Sequence, residues 1–122
     1  MFSACKTFEF EAGHYLPGYD GACKNKHGHS YVLQVEVVGG PMLYETGMIV
    51  DFTILKDVVK KLIVDKFDHS WLNDSFSMPT AENMVRKIVE ILDNDRLWPL
   101  GVFLQRVRLY ETRTSYIEWR RP

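Results

Sequence analysis

Apolar and polar residues alternate along four stretches of the chain, residues 7–14, 27–38, 102–111 and 115–120. Successive side chains of a strand point to opposite faces, so each alternating stretch predicts a β-strand with one buried side. Glycine, proline and aspartate residues follow the first two stretches, and a short turn at residues 112–114 joins the last two. The pattern therefore predicts two pairs of strands.

Apolar residues recur at helical spacing in two stretches between the second and third strands. Asp51 is placed to cap the first helix, whose apolar face runs over residues 55–63. The second helix begins at Thr80, directly after Pro79, with Glu82 in its first turn, where the helix dipole favours negative charge. The order ββααββ predicts an α+β fold in which two helices cover one face of a four-stranded, mainly antiparallel sheet.

The predicted sheet leaves two long edges and one face uncovered. Unpaired edge strands expose backbone hydrogen-bonding groups, which natural proteins pair, cover or close. The strands are long and carry apolar residues, so we expect the sheets of several subunits to close into a barrel on oligomerisation.

Composition narrows the class of protein. We expect a single domain over residues 1–122, large enough to bury a real core. A net charge of −1 gives no electrostatic case for binding nucleic acid or an anionic membrane. The first residues lack the layout of a signal peptide, and two cysteines do not form a disulfide framework, so we expect a cytoplasmic protein.

Three histidines carry the clearest chemistry in the sequence. His27 and His29 share one face of their predicted strand, and the same parity applied to the first strand places His14 on its apolar face. If the two strands pair, three imidazoles converge and leave one open position, which is the arrangement of a catalytic zinc. Cys23 lies four residues before His27, and the spacing leaves open whether it binds the metal or takes part in the reaction.

Two acidic residues are further candidates. Asp68 directly precedes His69, and a carboxylate beside an imidazole can orient it and raise its basicity, although adjacent residues can also point apart. Glu111 shares the inward face of its predicted strand, and an inward glutamate without a partner is costly, which favours a ligand-binding role. Lys24 is either a contact for a phosphate group or a solvated loop charge.

Six motifs along the chain resemble those of one family, the 6-pyruvoyltetrahydropterin and 6-carboxytetrahydropterin synthases, which have the tunnelling fold. Their order and separations make the resemblance specific, although each motif alone is weak. In this sequence they are Phe10-Glu11-Ala12-Gly13-His14, Cys23-Lys24-Asn25-Lys26-His27-Gly28-His29, Gly47-Met48-Ile49-Val50-Asp51-Phe52, Phe67-Asp68-His69, Pro79-Thr80-Ala81-Glu82-Asn83 and Glu111-Thr112-Arg113-Thr114-Ser115.

The resemblance implies roles for these residues. It implies Zn²⁺ on three histidines and a proton-abstracting thiolate at Cys23, assisted by Asp68 and His69. It also implies that Glu111 anchors the pterin and joins the proton relay, with substrate contacts from Thr112 and Lys24. The zinc ligands would be His14, His27 and His29. Members of the family assemble as trimers and dimers of trimers with sites between subunits, so the resemblance implies a homohexamer.

The spacing between Cys23 and His27 separates two activities within the family. Three intervening residues are typical of the 6-carboxytetrahydropterin synthases of queuosine biosynthesis. The implied reaction converts 7,8-dihydroneopterin triphosphate to 6-carboxytetrahydropterin, acetaldehyde and triphosphate, which makes the expected enzyme a zinc-dependent lyase. The alternatives are a 6-pyruvoyltetrahydropterin synthase, which only eliminates triphosphate, a zinc hydrolase, and a non-catalytic pterin binder that keeps the metal for folding.

Overall fold

Strands and helices occupy most of the chain in a computed structural model that describes residues 1–19, 21, 25–40 and 46–122. The strands are β1 (Phe2–His14), β2 (His27–Gly39), β3 (Ser70–Trp71), β4 (Val102–Thr112) and β5 (Ser115–Arg120). The helices are α1 (Phe52–Val59), α2 (Asp65–Phe67) and α3 (Ala81–Leu92), and the π-helical turn Lys60–Val64 joins α1 to α2. Short 3₁₀ turns lie at Leu72–Asp74 and Asp95–Leu97.

The five strands form one sheet in the order β3-β1-β2-β4-β5. The four long strands pair with one another in antiparallel fashion, as expected from the sequence. The prediction of four strands was wrong by one, because β3 pairs in parallel with β1 through only two residues and is too short to show any periodicity. The first strand also begins at Phe2 rather than at residue 7, because small and polar residues near its start weaken the alternation.

Both predicted helix starts are confirmed by their capping bonds. The Asp51 carboxylate accepts a hydrogen bond from the Thr53 amide at 2.8 Å, and the Thr80 hydroxyl accepts one from the Asn83 amide at 3.2 Å. Both helices cover the same face of the sheet, where alternate strand residues form the core. Phe10 and Tyr31 stack there with ring centres 5.1 Å apart. No helix in the described part of the chain is long and apolar enough to cross a membrane.

Charged side chains occupy the other face of the sheet. Arg106 is nearly buried and donates a 2.6 Å hydrogen bond to Glu36, and Arg108 donates one of 2.8 Å to Glu118. β5 ends the sheet on one side. On the other side β3 covers only the end of β1, where Ala12 and Gly13 pair with it. Within the described residues, both long edges are therefore open.

Candidate metal centre and active site

The antiparallel register of β1 and β2 brings the three histidines together. His14 lies opposite His27, and Ala12 lies opposite His29, so all three imidazoles project from one face at one end of the hairpin. The Nε2 atom of His14 lies 3.0 Å from Nε2 of His27 and 3.1 Å from Nε2 of His29. His14 is fully buried, whereas the other two rings are half-buried. These three residues form a group whose ligand atoms can hold one metal ion.

Backbone carbonyls fix the orientation of two of these rings. Nδ1 of His14 donates to the Pro79 carbonyl at 2.9 Å, and Nδ1 of His27 donates to the Asn25 carbonyl at 2.6 Å. A carbonyl can only accept, so Nδ1 carries the proton in each neutral ring and Nε2 presents a lone pair. Two lone pairs then face each other across 3.0 Å, which is repulsive unless a cation lies between them. The donor set therefore fits a metal ion.

The environment also favours the neutral form that binds metal. Burial lowers the pKa of His14 below the usual histidine value, and it does the same for His29. In a tetrahedral zinc site with Zn–N bonds near 2.0–2.1 Å, ligand atoms lie about 3.3 Å apart. The observed separations of 3.0 and 3.1 Å are close to that value without any rearrangement of the backbone.

Glu111 contributes a carboxylate to the same centre from β4. Its Oε1 lies 3.3 Å from Nε2 of His14 and 3.1 Å from Nε2 of His29. The register between β4 and β5 shifts so that Glu111 is the extra residue of a β-bulge, and bulges commonly re-aim a side chain beside a functional site. The site thus combines three nitrogen donors with one half-buried carboxylate.

Asp68 and His69 form a separate pair where α2 ends. Asp68 Oδ1 accepts hydrogen bonds from the Glu11 amide at 2.9 Å and from Nδ1 of His69 at 3.0 Å. The bond from Glu11 is the main cause that lowers the pKa of the Asp68 carboxyl. His69 takes a positive φ of 55°, and its amide donates to the Glu11 carbonyl at 2.6 Å.

This pair stands apart from the histidine cluster in one chain. The His69 side chain is 80% exposed, and among the described residues it makes no hydrogen bond or ion pair with the three histidines or Glu111. His69 and His29 nevertheless line the same open cleft, of about 290 Å³. Cys23 and Lys24 lie outside the described residues. Thr112 is exposed at the end of β4, where its hydroxyl accepts a 3.4 Å bond from the Thr114 amide.

Comparisons with known proteins agree with this fold. The family model of the 6-pyruvoyl tetrahydropterin synthases matches residues 3–122. The chain belongs to this family. The 6-carboxy-5,6,7,8-tetrahydropterin synthase of Haemophilus influenzae is 37% identical, with 98% of this chain and 99% of that protein covered. The 6-pyruvoyl tetrahydrobiopterin synthase of Dictyostelium discoideum is 34% identical over 82% of this chain and 74% of that protein.

The tunnelling fold expected from the sequence is confirmed by a solved structure. The 6-pyruvoyl tetrahydropterin synthase of Caenorhabditis elegans superposes with a TM-score of 0.77 over 99% of this chain and 96% of that chain. Its sequence is 24% identical, so this comparison concerns the fold. Membership of the family implies a pterin substrate for this chain.

Several groups that shape the site were not predicted from the sequence. Backbone carbonyls of Asn25 and Pro79 orient His27 and His14, and no side-chain pattern reveals a carbonyl contact. The Tyr31 hydroxyl lies 3.3 Å from Nδ1 of His14. Strand parity places Tyr31 on the same inward face as His29, two residues earlier. That parity predicted a core residue and not a neighbour of the histidine cluster.

Proposed function

We propose that this chain is a zinc-dependent lyase, a 6-carboxy-5,6,7,8-tetrahydropterin synthase acting on 7,8-dihydroneopterin triphosphate in queuosine biosynthesis. The main support for the proposal is the fixed tautomer of His14 and of His27, whose Nε2 lone pairs point at one shared cation site. The near full-length match to a curated 6-carboxy-5,6,7,8-tetrahydropterin synthase supports this choice of reaction. When bound, Zn²⁺ supplies Lewis acidity that makes protons beside a coordinated hydroxyl more acidic.

The chain's own residues supply the proton transfers in this proposal. Cys23 precedes His27 by four residues, close enough in sequence to reach the same centre as a thiolate base. Glu111 accepts hydrogen bonds from the pterin amino and ring N–H groups, and Thr112 and Lys24 are additional substrate contacts. Loss of one general base typically costs two to four orders of magnitude in rate.

Asp68 and His69 fit the role of a proton relay. The Asp68 carboxylate keeps the proton on Nδ1 of His69, so Nε2 faces solvent as an acceptor. Glu11 supports the positive φ of His69, because its carbonyl accepts from the His69 amide and its own amide donates to the Asp68 carboxylate. A ring so exposed in one chain can act on a substrate bound to a neighbouring chain.

A shared site requires an oligomer, and we propose a homohexamer built from two trimers. The open edges at β1 and β5 support the joining of sheets from neighbouring subunits. Each active site would then take its metal ligands from one subunit and the Asp68–His69 pair from another. We further propose that residues 1–122 act as one domain in this assembly and that the enzyme works in the cytoplasm.

A second candidate is 6-pyruvoyltetrahydropterin synthase, which eliminates triphosphate but keeps the carbon side chain. The Dictyostelium relative with that name favours it, although the match covers less of both chains. The two activities share their first chemistry, so the product distinguishes them.

The test is incubation of the zinc-loaded protein with 7,8-dihydroneopterin triphosphate. Mass spectrometry of the pterin product and a coupled acetaldehyde assay should show 6-carboxytetrahydropterin and one acetaldehyde per turnover. A 6-pyruvoyl product without acetaldehyde supports the second candidate. Tight pterin binding without any turnover supports a non-catalytic binder, and full activity in Cys23→Ala supports a hydrolase that needs no thiol.

A further inference from the structure

We infer that Tyr31 is a positioning residue for the metal centre, because its hydroxyl contacts His14 and its ring contacts both His14 and His29. Tyr31 lies two residues beyond His29, outside the residues to which the family resemblance gives a role. The inference rests on the metal centre of the proposed function, but it does not depend on the reaction that the enzyme performs.

The Tyr31 side chain is fully buried beside the histidine cluster. It lies on the same face of β2 as His29, and its partner across the pair of β1 and β2 is Phe10. The rings of Phe10 and Tyr31 stack with their planes 15° apart and their centres 5.1 Å apart. A close-packed ring held by such a stack has little freedom to move, so the direction of its hydroxyl is fixed.

The Tyr31 hydroxyl reaches the nitrogen of His14 that faces away from the cation site. Nδ1 of His14 lies 2.9 Å from the Pro79 carbonyl oxygen and 3.3 Å from the Tyr31 hydroxyl oxygen. Because this nitrogen carries the proton, one N–H group donates to two acceptors. Acceptors on the outer nitrogen of a metal-binding histidine fix the orientation of its ring and raise the basicity of the other nitrogen.

The Tyr31 ring also packs against two of the proposed ligands. Its centre lies 5.6 Å from that of His29 at an angle of 68°, and 6.4 Å from that of His14 at 80°. These are edge-to-face contacts within the usual range of about 4.5–7 Å between ring centres. They restrict rotation of both imidazoles, so that the two Nε2 atoms stay 3.1 Å apart. The fold therefore prepares two ligands before the metal binds.

The variant Tyr31→Phe tests the inference in the purified full-length protein without any substrate. It removes the hydroxyl but keeps the ring. Loss of an outer partner typically weakens metal binding by about 10–100-fold, and the Pro79 carbonyl remains here, so we expect zinc affinity to fall about tenfold. A competition titration with a chromogenic chelator measures this change. In the Co²⁺-loaded protein, the paramagnetically shifted NMR signal of the exchangeable proton on Nδ1 of His14 should also move.

Two control variants separate this contact from general effects on the sheet. Tyr110→Phe is the matched control, because the Tyr110 hydroxyl accepts a 3.3 Å hydrogen bond from Arg108 on the other face of the sheet. Val35→Ala removes packing from a fully buried position on the same strand and face as Tyr31 without removing a polar atom. Both variants should keep the zinc affinity and the NMR signals of the unchanged protein.

The inference requires both changes in Tyr31→Phe. Unchanged affinity overturns it, and so does a lower affinity with an unmoved Nδ1–H signal, because the tyrosine then acts only through stability. An equal loss of affinity in Val35→Ala overturns it for the same reason. Failure of the unchanged protein to bind zinc is a distinct result, since it overturns the proposed metal centre and this inference together.

Discussion

His14 and His27 are both metal ligands in the proposed site, yet their replacement by alanine should have different effects on the metal-free fold. His14 is fully buried, and its Nδ1 donates to the Pro79 carbonyl across 65 residues of chain. His27 is half-buried, and its Nδ1 bonds to the Asn25 carbonyl two residues away in an exposed segment. The variants His14→Ala and His27→Ala therefore separate metal binding from packing.

The structure gives a magnitude for each variant. His14→Ala leaves a buried carbonyl without its donor, which costs about 1–3 kcal/mol. It also opens a cavity, and buried large-to-small changes cost about 2–5 kcal/mol. Partial relaxation overlaps these contributions, so we expect a loss of about 3 kcal/mol in the free energy of unfolding. His27→Ala exposes its partner carbonyl to water and should cost less than about 1 kcal/mol.

Urea unfolding in excess chelator, at one fixed protein concentration, measures these values without a contribution from metal binding. For a urea m-value of about 1.5 kcal/mol/M, the midpoint of His14→Ala should fall by about 2 M. Zinc content measured before chelation should drop well below one per chain in both variants. Near-stoichiometric zinc in His27→Ala, or equal stability losses in the two variants, would contradict the assignment of ligands and contacts.

Three further predictions concern the proposed reaction, the buried histidines and the proposed assembly. Cys23→Ala should keep its zinc and its pterin binding while turnover falls by roughly two to four orders of magnitude, and loss of zinc in this variant would instead make the cysteine a ligand. The metal-free protein should hold its stability above pH about 6.5 and lose it as the pH falls below that value. The reason is that burial lowers the pKa of His14 and His29 in the folded state, so the unfolded chain takes up these protons first. Urea midpoints measured between pH 8 and pH 5.5 check this sign. Sedimentation at micromolar concentration should show a hexamer, and a fully active monomer would contradict a site shared between subunits.

Parity of side chains was enough to place the three histidines on one face. The alternation around His14 and the His27–His29 pair fixes which side of each strand the rings occupy. Bringing the three rings to one point also requires the register between β1 and β2, which the sequence of the connecting loop does not determine. The structure supplies it by pairing His14 with His27. The position of Cys23 falls in the part of this loop that lies outside the described residues, so its role stays a prediction.

The positions of Glu111 and Asp68 were predicted only in part from the sequence. The inward face of Glu111 was predicted correctly from its strand parity, but its approach to His14 and His29 depends on a bulge that has no sequence signature. Asp68 and His69 do interact, as their adjacency suggested. Their distance from the histidine cluster in one chain depends on how α2 meets β1, and local patterns do not encode that packing.

The start of helix α3, the second of the two predicted helices, helps to position His14. Pro79 directly precedes the Thr80 cap of α3, and the Asn83 side chain donates a 2.8 Å hydrogen bond to the Met78 carbonyl on the other side. These bonds hold the segment so that the Pro79 carbonyl faces His14. Because that carbonyl decides which ring nitrogen of His14 carries the proton, docking of α3 on the sheet sets the tautomer of this proposed metal ligand. We therefore expect changes at the start of α3 to weaken metal binding as well as stability.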